Sequence, residues 1–357
     1  ALTLGGRLAP GDAEKDQRLL DQITALERDY LTKTEALERL HKEAGQEVLF
    51  LTVSTGRSVR LSLDQVLAVS RPNGMHWGEK LLAYVQSLWL FVSTEPREAN
   101  TEGGIFPAIF GTVLMVFLMT LAVMPFGVMA AVYLREYANQ GLLVRLVRIA
   151  VNNLAGVPSI VFGVFGLAFF VYALGGTIDQ WLFPEALPNP TFGTGGILWA
   201  SLTLALLTVP VVIVATEEGL SAVPRDFREG SLGLGATKFE TLRHVILPCA
   251  LPGILTGLIL AMARAAGEVA PLMLTGVVKL APALPLDEYL PFLHLDRKFM
   301  HLGFHIYDVG FQSPNVEAAK PMVYMTTLIL ILVVVLLNWA AVRLRNRLRR
   351  RFTASAV

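Results

Sequence analysis

Long runs of apolar residues without charges dominate the chain from residue 105 onwards. A helix needs about 20 predominantly apolar residues to cross the hydrocarbon core of a bilayer. Four uncharged runs reach that length: 105–134, 149–174, 197–216 and 321–342. A fifth run, 251–278, is equally apolar except for Arg264 and Glu268. Because open strands cannot satisfy their backbone polar groups in lipid, the pattern predicts an all-α polytopic membrane protein with five transmembrane helices.

Prolines inside these runs predict where the helices bend. They are Pro125, Pro158, Pro210 and Pro271. A proline removes a backbone hydrogen bond, which neighbouring helices or water can replace within a membrane bundle. We therefore expect helix kinks at these four positions.

Lysine and arginine are concentrated in alternate loops, which orients the chain. Basic residues follow the first, third and fifth predicted helices: Arg135, Arg145, Arg148, Arg225, Arg228, Lys238, Arg243 and six arginines within 343–351. Short loops rich in these residues stay in the cytoplasm. Within the predicted transmembrane domain 105–344, loop 217–248 is therefore cytoplasmic, as is the basic tail 345–357. Everything before residue 105 then lies outside, and we expect a leading sixth helix or signal that this chain lacks.

The first 74 residues predict a small α+β domain outside the membrane. Residues 12–44 are charged, with apolar residues every three or four positions, which is typical of a long amphipathic helix. The candidate strands are 46–55, 58–63 and 64–70. A turn at Gly56-Arg57 suits a hairpin between the first two strands. The domain is either a packed unit without a site or a contact surface for an external partner.

A second amphipathic helix is predicted within 75–104. Its apolar stripe consists of Trp77, Leu81, Leu82, Val85, Leu88, Trp89 and Val92. The stripe is too short to span a bilayer, and tryptophans favour the membrane–water boundary. We therefore expect an interfacial helix followed by a linker.

Composition agrees with a membrane protein and argues against several other classes. The chain is 54% hydrophobic and 17% charged, against roughly 25% charged residues in ordinary soluble domains. Its net charge of +1 creates no field that would attract nucleic acid. His301 and His305 are four residues apart without a third ligand at fitting spacing, so we expect ordinary polar loop residues and no metal site. Neither a phosphate-binding Gly-x4-Gly-Lys-Ser/Thr loop nor a nucleophile–base cluster occurs, so the chain is not expected to be an enzyme.

The basic loop 217–248 predicts two short helices lying under the membrane. The expected helices are 225–234 and 237–245. Gly235 between them permits the positive φ of a helix end, and Thr237 with Glu240 forms a capping-box pattern for the second helix. Apolar side chains are left available to a partner: Leu232, Leu234 and Phe239.

Residues of this loop resemble the EAA loop of ABC-importer permeases. Glu229 is followed six positions later by Gly235 and, after nine intervening residues, by Val-Ile-Leu-Pro at 245–248. The chain departs from the family pattern in having Gly230 and Ser231 where two alanines are expected. The resemblance implies a type I ABC-importer permease whose loop inserts into a groove of a separate ATPase; otherwise the loop is an ordinary linker. The residues implied in ATPase coupling are Glu229, Leu232, Gly235, Ala236 and Phe239.

Further segments are similar to the phosphate-specific (Pst) permease subunits, on the A side of that pair. They are 135–138 (Arg-Glu-Tyr-Ala), 153–163, 234–237 and 263–272 (Ala-Arg-Ala-Ala-Gly-Glu-Val-Ala-Pro-Leu). The similarity spans 103–343, and the N-terminal domain is similar only to long members that carry an outer insertion after their first helix. The resemblance implies a bacterial inner membrane location and three partners: a homologous second permease, a cytoplasmic ATPase dimer that holds ATP and Mg, and a periplasmic phosphate-binding protein. No cofactor is expected in this chain.

Arg264 and Glu268 are the candidate substrate residues. A charge near the bilayer centre costs at least about 2.5–3.5 kcal/mol, and residues four apart share one helix face. A guanidinium binds phosphate oxygens in pairs, so we expect Arg264 to line the route of an oxyanion, with Glu268 neutralising it between transport events. Alternatively, the two form a structural ion pair at the subunit interface. Asn152, Asn153 and Pro158 are candidates for a pore or for helix packing, and packing is the more common role of such residues.

Two alternatives to phosphate uptake by an ABC importer stay open. Related permeases of the same helical plan carry sulfate or molybdate. A secondary transporter would need intramembrane carboxylates in several helices, whereas a single charged pair occurs in the apolar runs.

Overall fold

The computed structural model of the protein describes residues 10–52, 56, 58–62, 72–97, 100, 102–288, 290–313 and 316–354. The chain divides into two compact units, Ala1–Ala83 and Tyr84–Val357. The predicted domain boundaries after residues 74, 104 and 344 stay predictions.

The first unit contains a long helix and a β-hairpin. Helix α1 (Pro10–Gln46) has 37 residues, and strand β1 (Val48–Thr52) pairs antiparallel with β2 (Ser58–Ser62). Gly56 in the connection has a φ of 78°, a left-handed conformation that glycine adopts without a steric cost. The helix and the hairpin occur where the sequence predicts them, whereas the candidate strand 64–70 lies outside the described residues.

Helix α2 (Trp77–Ser93) starts in the first unit and ends in the second. None of its 17 residues is buried, and both Trp77 and Trp89 are exposed. Strands β3 (Pro96–Arg97) and β4 (Glu102–Gly103) pair antiparallel ahead of the first apolar helix. An exposed apolar surface of this kind is typical of a helix at a membrane boundary.

Among the described residues, five helices of the second unit are long and apolar enough to cross a membrane. Named the first to fifth spans, they are Phe106–Tyr137, Ser159–Leu182, Ile197–Ser221, Lys238–Gly267 and Ala319–Arg347. This finding confirms the five helices predicted from the apolar runs.

The helices of this unit are, in chain order, α3 (Phe106–Val132), α4 (Leu142–Leu154), α5 (Ser159–Phe165), α6 (Gly176–Leu182), α7 (Ile197–Ser221), α8 (Arg225–Gly233), α9 (Lys238–Thr241), α10 (Leu247–Gly267), α11 (Ala270–Thr275), α12 (Leu302–Tyr307) and α13 (Val316–Ala354). Stretches of π-helix extend or join them at Tyr133–Tyr137, Gly166–Gly175, Leu242–Ile246 and Asp308–Gln312. Such stretches are uncommon in α-helices and often mark functional positions.

The second span begins ten residues later than the predicted 149 because the chain breaks before Pro158. That proline is extended (φ −55°, ψ 134°) and caps the start of α5. A proline disfavours helical conformation in the residue that precedes it. Asn152 and Asn153, which the predicted run 149–174 placed at the start of the second span, therefore lie in the last turn of α4. Their predicted place in the second span is wrong.

The fourth span is shifted towards the N-terminus of the predicted run 251–278. Helix α9 continues through a π turn into α10, so the helix begins at Lys238 rather than 251. It ends at Gly267, because Glu268 is extended (φ −78°, ψ 134°) and Pro271 lies in the first turn of α11. A proline ring clashes with the carbonyl group four residues earlier, which here belongs to Gly267.

At two of the four prolines the structure has the start of a helix where a kink was predicted. Pro125 and Pro210 lie inside α3 and α7, where the kinks stay predictions, whereas Pro158 and Pro271 stand at helix starts. Helix α13 continues past the fifth span to Ala354, so the first ten residues of the predicted basic tail 345–357 are helical.

Helices α3, α7 and α10 form the centre of the second unit. Their buried side chains include Met115, Met119, Leu204, Val212 and Leu258. Helices α7 and α10 approach through two glycines, since a Cβ atom added to Gly253 would lie 2.6 Å from the Gly219 Cα. Small residues permit such close contacts, and van der Waals packing is what holds helices together in lipid.

The segment between the fourth and fifth spans packs against the starts of the first and third spans. The Leu302 amide donates to Thr112 Oγ1 at 2.9 Å, and the Ile197 amide donates to the Arg297 carbonyl at 2.9 Å. These bonds define one end of the bundle. The opposite end, here called the basic end, carries α4, α8 and the π turn Tyr133–Tyr137.

His301 and His305 are buried, so the prediction that they are ordinary loop residues is wrong. They lie at the start of α12 and within it, with exposed fractions of 0% and 2%. Burial disfavours the charged imidazolium and lowers the pKa of His301 to about 3. Burial also lowers the pKa of His305 to about 4, against the opposing effect of the Asp308 carboxylate. Within the described part of the chain, no three His, Cys, Asp or Glu residues come together to hold a metal ion.

Candidate functional site

Arg264 and Glu268 form an ion pair at the end of α10. Arg264 Nε lies 3.4 Å from Glu268 Oε1, and the two side chains are 36% and 20% exposed. Arg264 is 17 positions after Leu247, which at about 1.5 Å per residue places it about 25 Å along α10. Arg264 therefore lies in the last turn of a helix that is otherwise apolar, and Glu268 follows directly after that helix.

The pair forms across a helix end rather than on one continuous helix face. Glu268 has left the helix, although its amide still donates to the Ala265 carbonyl at 3.3 Å. The expected pairing of the two charges is thus present, and the expected helical geometry is corrected. An extended residue at this depth leaves backbone groups outside the helical pattern, which lipid tolerates only where protein or water covers them.

The terminal nitrogens of Arg264 are available to a ligand. Glu268 engages Nε alone, and neither Nη1 nor Nη2 has an acceptor among the residues that the structure describes. A guanidinium presents its donors as a planar fork that matches two oxygens of a carboxylate or phosphate group. The two terminal nitrogens therefore form a paired donor group with the geometry that an oxyanion requires.

Helix packing brings together the two motifs that carry the Pst resemblance within the spans. A Cβ atom added to Gly163, in segment 153–163, would lie 2.7 Å from the Cα of Pro271, in segment 263–272. The second span therefore contacts the chain just beyond the Arg264–Glu268 pair. Such an approach requires glycine at 163, because any side chain would collide with the backbone of α11.

Asn152, Asn153 and Pro158 lie before the second span, at the basic end. Asn152 lines a cavity of about 350 Å³ together with Arg148 and Glu217. The Asn153 carbonyl accepts a bond from the Gly156 amide at 3.0 Å, within the turn that leads to Pro158. Their assignment to a pore or to helix packing stays a prediction.

The loop between the third and fourth spans folds locally as predicted. Helix α8 is followed by Gly235 with a φ of 89°, a left-handed conformation that favours glycine. Thr237 Oγ1 accepts from the Glu240 amide at 3.3 Å, and Glu240 Oε2 accepts from the Thr237 amide at 2.8 Å. These two bonds are the predicted capping box, and they satisfy amides that the helix itself leaves unpaired.

The second helix of this loop does not end at 245 as predicted. The helix continues through Leu242–Ile246 as a π turn and enters α10, whose second residue is Pro248. A proline donates no backbone hydrogen bond, and a π turn re-arranges the bonding pattern ahead of it. The loop is therefore rigidly continuous with the fourth span.

The residues predicted to couple to an ATPase are largely exposed on this loop. Glu229, Leu232, Gly235 and Phe239 are exposed and Ala236 is half-buried. Two further exposed apolar side chains flank them, Leu234 at 92% and Phe227. The sequence analysis missed Phe227, whose spacing of seven residues from Leu234 was the available signal.

Two ion pairs at the basic end were also missed. Arg228 Nη1 lies 2.6 Å from both carboxylate oxygens of Glu136, and Arg148 Nε lies 3.1 Å from Glu217 Oε1. The sequence analysis used both arginines only to orient the chain. The partners are 92 and 69 positions away, so local spacing held no signal of the pairing.

Comparisons with known proteins identify the family to which the chain belongs. The family described as binding-protein-dependent transport system inner membrane component matches residues 123–350. The chain is 31% identical over 270 residues to YqgI of Bacillus subtilis, described as a probable ABC transporter permease protein; the alignment covers 74% of this chain and 85% of that relative. It is 34% identical over 250 residues to the phosphate transport system permease protein PstA 1 of Mycobacterium tuberculosis strain H37Rv. That alignment covers 70% of this chain and 72% of that relative.

A solved structure shares the fold. A chain of the MetNI methionine ABC transporter, in an inward-facing conformation, aligns with a TM-score of 0.51 and 19% identity over 74% of this chain and 98% of that chain. This likeness bears on the fold, and it confirms the predicted type I ABC-importer permease architecture. Together with the family match over residues 123–350, it shows that the chain belongs to the inner membrane components of binding-protein-dependent transport systems, the permeases of ABC importers.

Proposed function

We propose that this permease moves inorganic phosphate into the cytoplasm. The relatives named as phosphate transport permeases support the substrate, as does one feature of the site: a guanidinium in the last turn of an otherwise apolar helix, with both terminal nitrogens available among the described residues. Phosphate carries one to two negative charges near neutral pH, and a paired donor fork suits its oxygens. The fold and the family match favour ATP-driven import over transport driven by an ion gradient.

Glu268 has a defined part in the proposed cycle. An unpaired charge within a membrane is costly, so Arg264 needs a counter-ion whenever phosphate is absent. Glu268 supplies it from 3.4 Å. When phosphate arrives, its negative charge repels the carboxylate, and the guanidinium turns its terminal nitrogens to the substrate.

Import requires partners that supply energy and substrate. In the proposed assembly, a homologous permease forms the other half of the pore, and a periplasmic binding protein delivers phosphate. A cytoplasmic ATPase dimer binds ATP and Mg and docks on loop 217–248 through Glu229, Leu232, Gly235, Ala236 and Phe239. The exposure of Phe227 and Leu234 beside these residues supports a protein contact there.

The proposal also assigns the two sides of the bacterial inner membrane. Arginine-rich segments at the basic end support a cytoplasmic position for α8 and for the end of α13. The N-terminal unit then lies in the periplasm. There it is free to contact an external partner.

The test is uptake of labelled phosphate by cells that lack the native subunit and carry Arg264→Gln. We expect uptake to fall by at least about tenfold, because an amide supplies neither the charge nor the five-donor fork of arginine. Arg264→Lys keeps the charge and loses the fork, so uptake should be intermediate. Arg145→Gln, which removes an exposed arginine of α4, is the matched control and should transport normally.

The same cells distinguish phosphate from other oxyanions. Wild-type uptake of labelled sulfate or molybdate in preference to phosphate would show that another oxyanion is the substrate. Normal phosphate uptake by Arg264→Gln, with the protein present at wild-type level, would rule out the role proposed for the guanidinium.

A further inference from the structure

Arg228 connects the loop that carries α8 to two spans at once. Its Nη1 bonds both carboxylate oxygens of Glu136 at 2.6 Å, and its Nη2 donates to the Leu220 carbonyl at 2.7 Å. Glu136 belongs to the π turn that ends the first span, and Leu220 lies in the last turn of α7, which ends the third. One guanidinium therefore joins three elements.

Partial burial and charge both strengthen the contacts of Arg228. The side chains of Arg228 and Glu136 are 23% and 15% exposed, so water screens the pair only in part. Hydrogen bonds between charged partners are stronger than those between neutral groups. The last carbonyl groups of a helix have no partner within the helix, and the Leu220 carbonyl is one of them. The bond from Arg228 Nη2 supplies the missing donor.

Apolar packing does not hold α8 to the bundle. None of its nine residues is buried. Polar contacts fix it instead: Arg228 on one side, and the Ser231 hydroxyl, 2.9 Å from that of Thr241, on the other. A force applied to α8 therefore reaches the fourth span through the backbone and the Ser231–Thr241 contact, the third span through the backbone and Arg228, and the first span through Arg228.

We propose that Arg228 and Glu136 are positioning residues that pass the displacement of α8 to the first span. The backbone links α8 to the third span before it and the fourth span after it, while the ion pair reaches the first span, which is distant in sequence. ATP-driven movement of α8 then carries the ends of the first and third spans together. This inference rests on the proposed docking of an ATPase on this loop.

The test uses the complete transporter in lipid vesicles, with phosphate uptake and ATP hydrolysis measured on the same sample. Glu136→Arg and Arg228→Glu each place like charges opposite one another. We expect each to lower the phosphate moved per ATP hydrolysed by about tenfold, with ATP hydrolysis retained, and the double exchange to restore it to within about twofold. A purely structural brace would change the amount of assembled complex without changing this ratio.

Arg148→Glu is the matched control. Arg148 pairs with Glu217 at 3.1 Å with similar exposed fractions, 33% and 18%. It joins α4 to the third span and, through the Leu134 carbonyl, to the first span, but it does not involve α8. Its ratio of uptake to hydrolysis should stay near that of the wild type. If Glu136→Arg or Arg228→Glu prevents assembly, the neutral variants Glu136→Gln and Arg228→Gln are measured instead. We expect the same fall in phosphate moved per ATP hydrolysed.

Two results would overturn the inference. One is an unchanged ratio in both single variants, and the other is a double exchange that transports no better than either single variant. A wild-type complex that hydrolyses ATP without moving phosphate would instead count against the proposed substrate. Failure of the wild-type chain to bind an ATPase would count against the docking role of the loop.

Discussion

Two arginines of the second unit differ in how their guanidinium groups are occupied. Arg228 uses both terminal nitrogens, on Glu136 and on the Leu220 carbonyl. Arg264 uses only Nε among the described residues, at the longer distance of 3.4 Å. A guanidinium with both terminal nitrogens bonded suits a permanent link, whereas one with open terminal donors suits a ligand that comes and goes.

The buried His305 should make the stability of the protein depend on pH. Burial lowers its pKa to about 4 from an ordinary value of 6.5, which the unfolded chain retains. Between pH 6.5 and 4 the unfolded state therefore binds a proton that the folded state does not. The contribution of His305 to stability is complete above pH 6.5 and falls as the pH drops through this window, by about 1.4 kcal/mol per pH unit. The buried His301, whose pKa is also lowered, adds to this fall.

Thermal unfolding of the purified protein in detergent, measured from pH 7 to pH 4, checks this expectation. His305→Asn should flatten the pH dependence relative to the wild type, whatever its effect on absolute stability. His76→Asn, which changes an exposed histidine, should leave the slope unchanged. Equal slopes for His305→Asn and the wild type would contradict the assignment.

At the scale of elements, the interrupted helices matter most. Pro158 and Glu268, which mark the two breaks, are 110 positions apart in sequence. Beside them, α5 and α11 pack together through Gly163 and Pro271. Each break frees backbone groups that a continuous helix would satisfy, and the close packing of a neighbour limits their contact with lipid.

The turn between α8 and α9 offers a matched pair of glycines for mutation. Gly233 and Gly235 both have open space where a Cβ would lie, but only Gly235 of the two has a positive φ. Gly235→Ala should cost about 1–2 kcal/mol in this conformation and shift the loop. Gly233→Ala places a better helix former in α8 and should be neutral or slightly stabilising.

Co-purification of the ATPase with each variant measures the effect on docking. We expect clearly less ATPase with Gly235→Ala than with the wild type, because the turn directs α8 relative to α9. Gly233→Ala should recover the wild-type amount. Equal recovery with both variants would mean that the turn geometry is not needed for docking.

At the scale of the whole molecule, the proposed orientation makes a labelling prediction. The only cysteine in the sequence is Cys249, so a Cys249→Ser chain is a clean background for single cysteines. A membrane-impermeant maleimide applied to intact spheroplasts should label Leu40→Cys and Leu290→Cys, which replace exposed residues of the N-terminal unit and of the loop after the fourth span. Leu234→Cys should react only after permeabilisation, and its labelling in intact spheroplasts would reverse the orientation.

Features that depend on neighbouring residues could be predicted without the folded structure. Apolar runs of sufficient length specify five spans, because lipid requires helices wherever the backbone crosses it. The turn at Gly235 and the Thr237–Glu240 capping box follow from residues within three positions of each other. The pairing of Arg264 with Glu268 was equally local.

Only the tertiary structure decided the features that depend on distant segments. Glu136 meets Arg228 across 92 positions because helix packing places the ends of the first and third spans side by side. His301 and His305 are buried because α12 packs near Thr112 at the start of the first span, which no local pattern indicates. Pro158 and Pro271 stand where helices begin, whereas Pro125 and Pro210 lie inside continuous helices. Neighbouring helices determine whether the hydrogen bond that a proline removes is replaced.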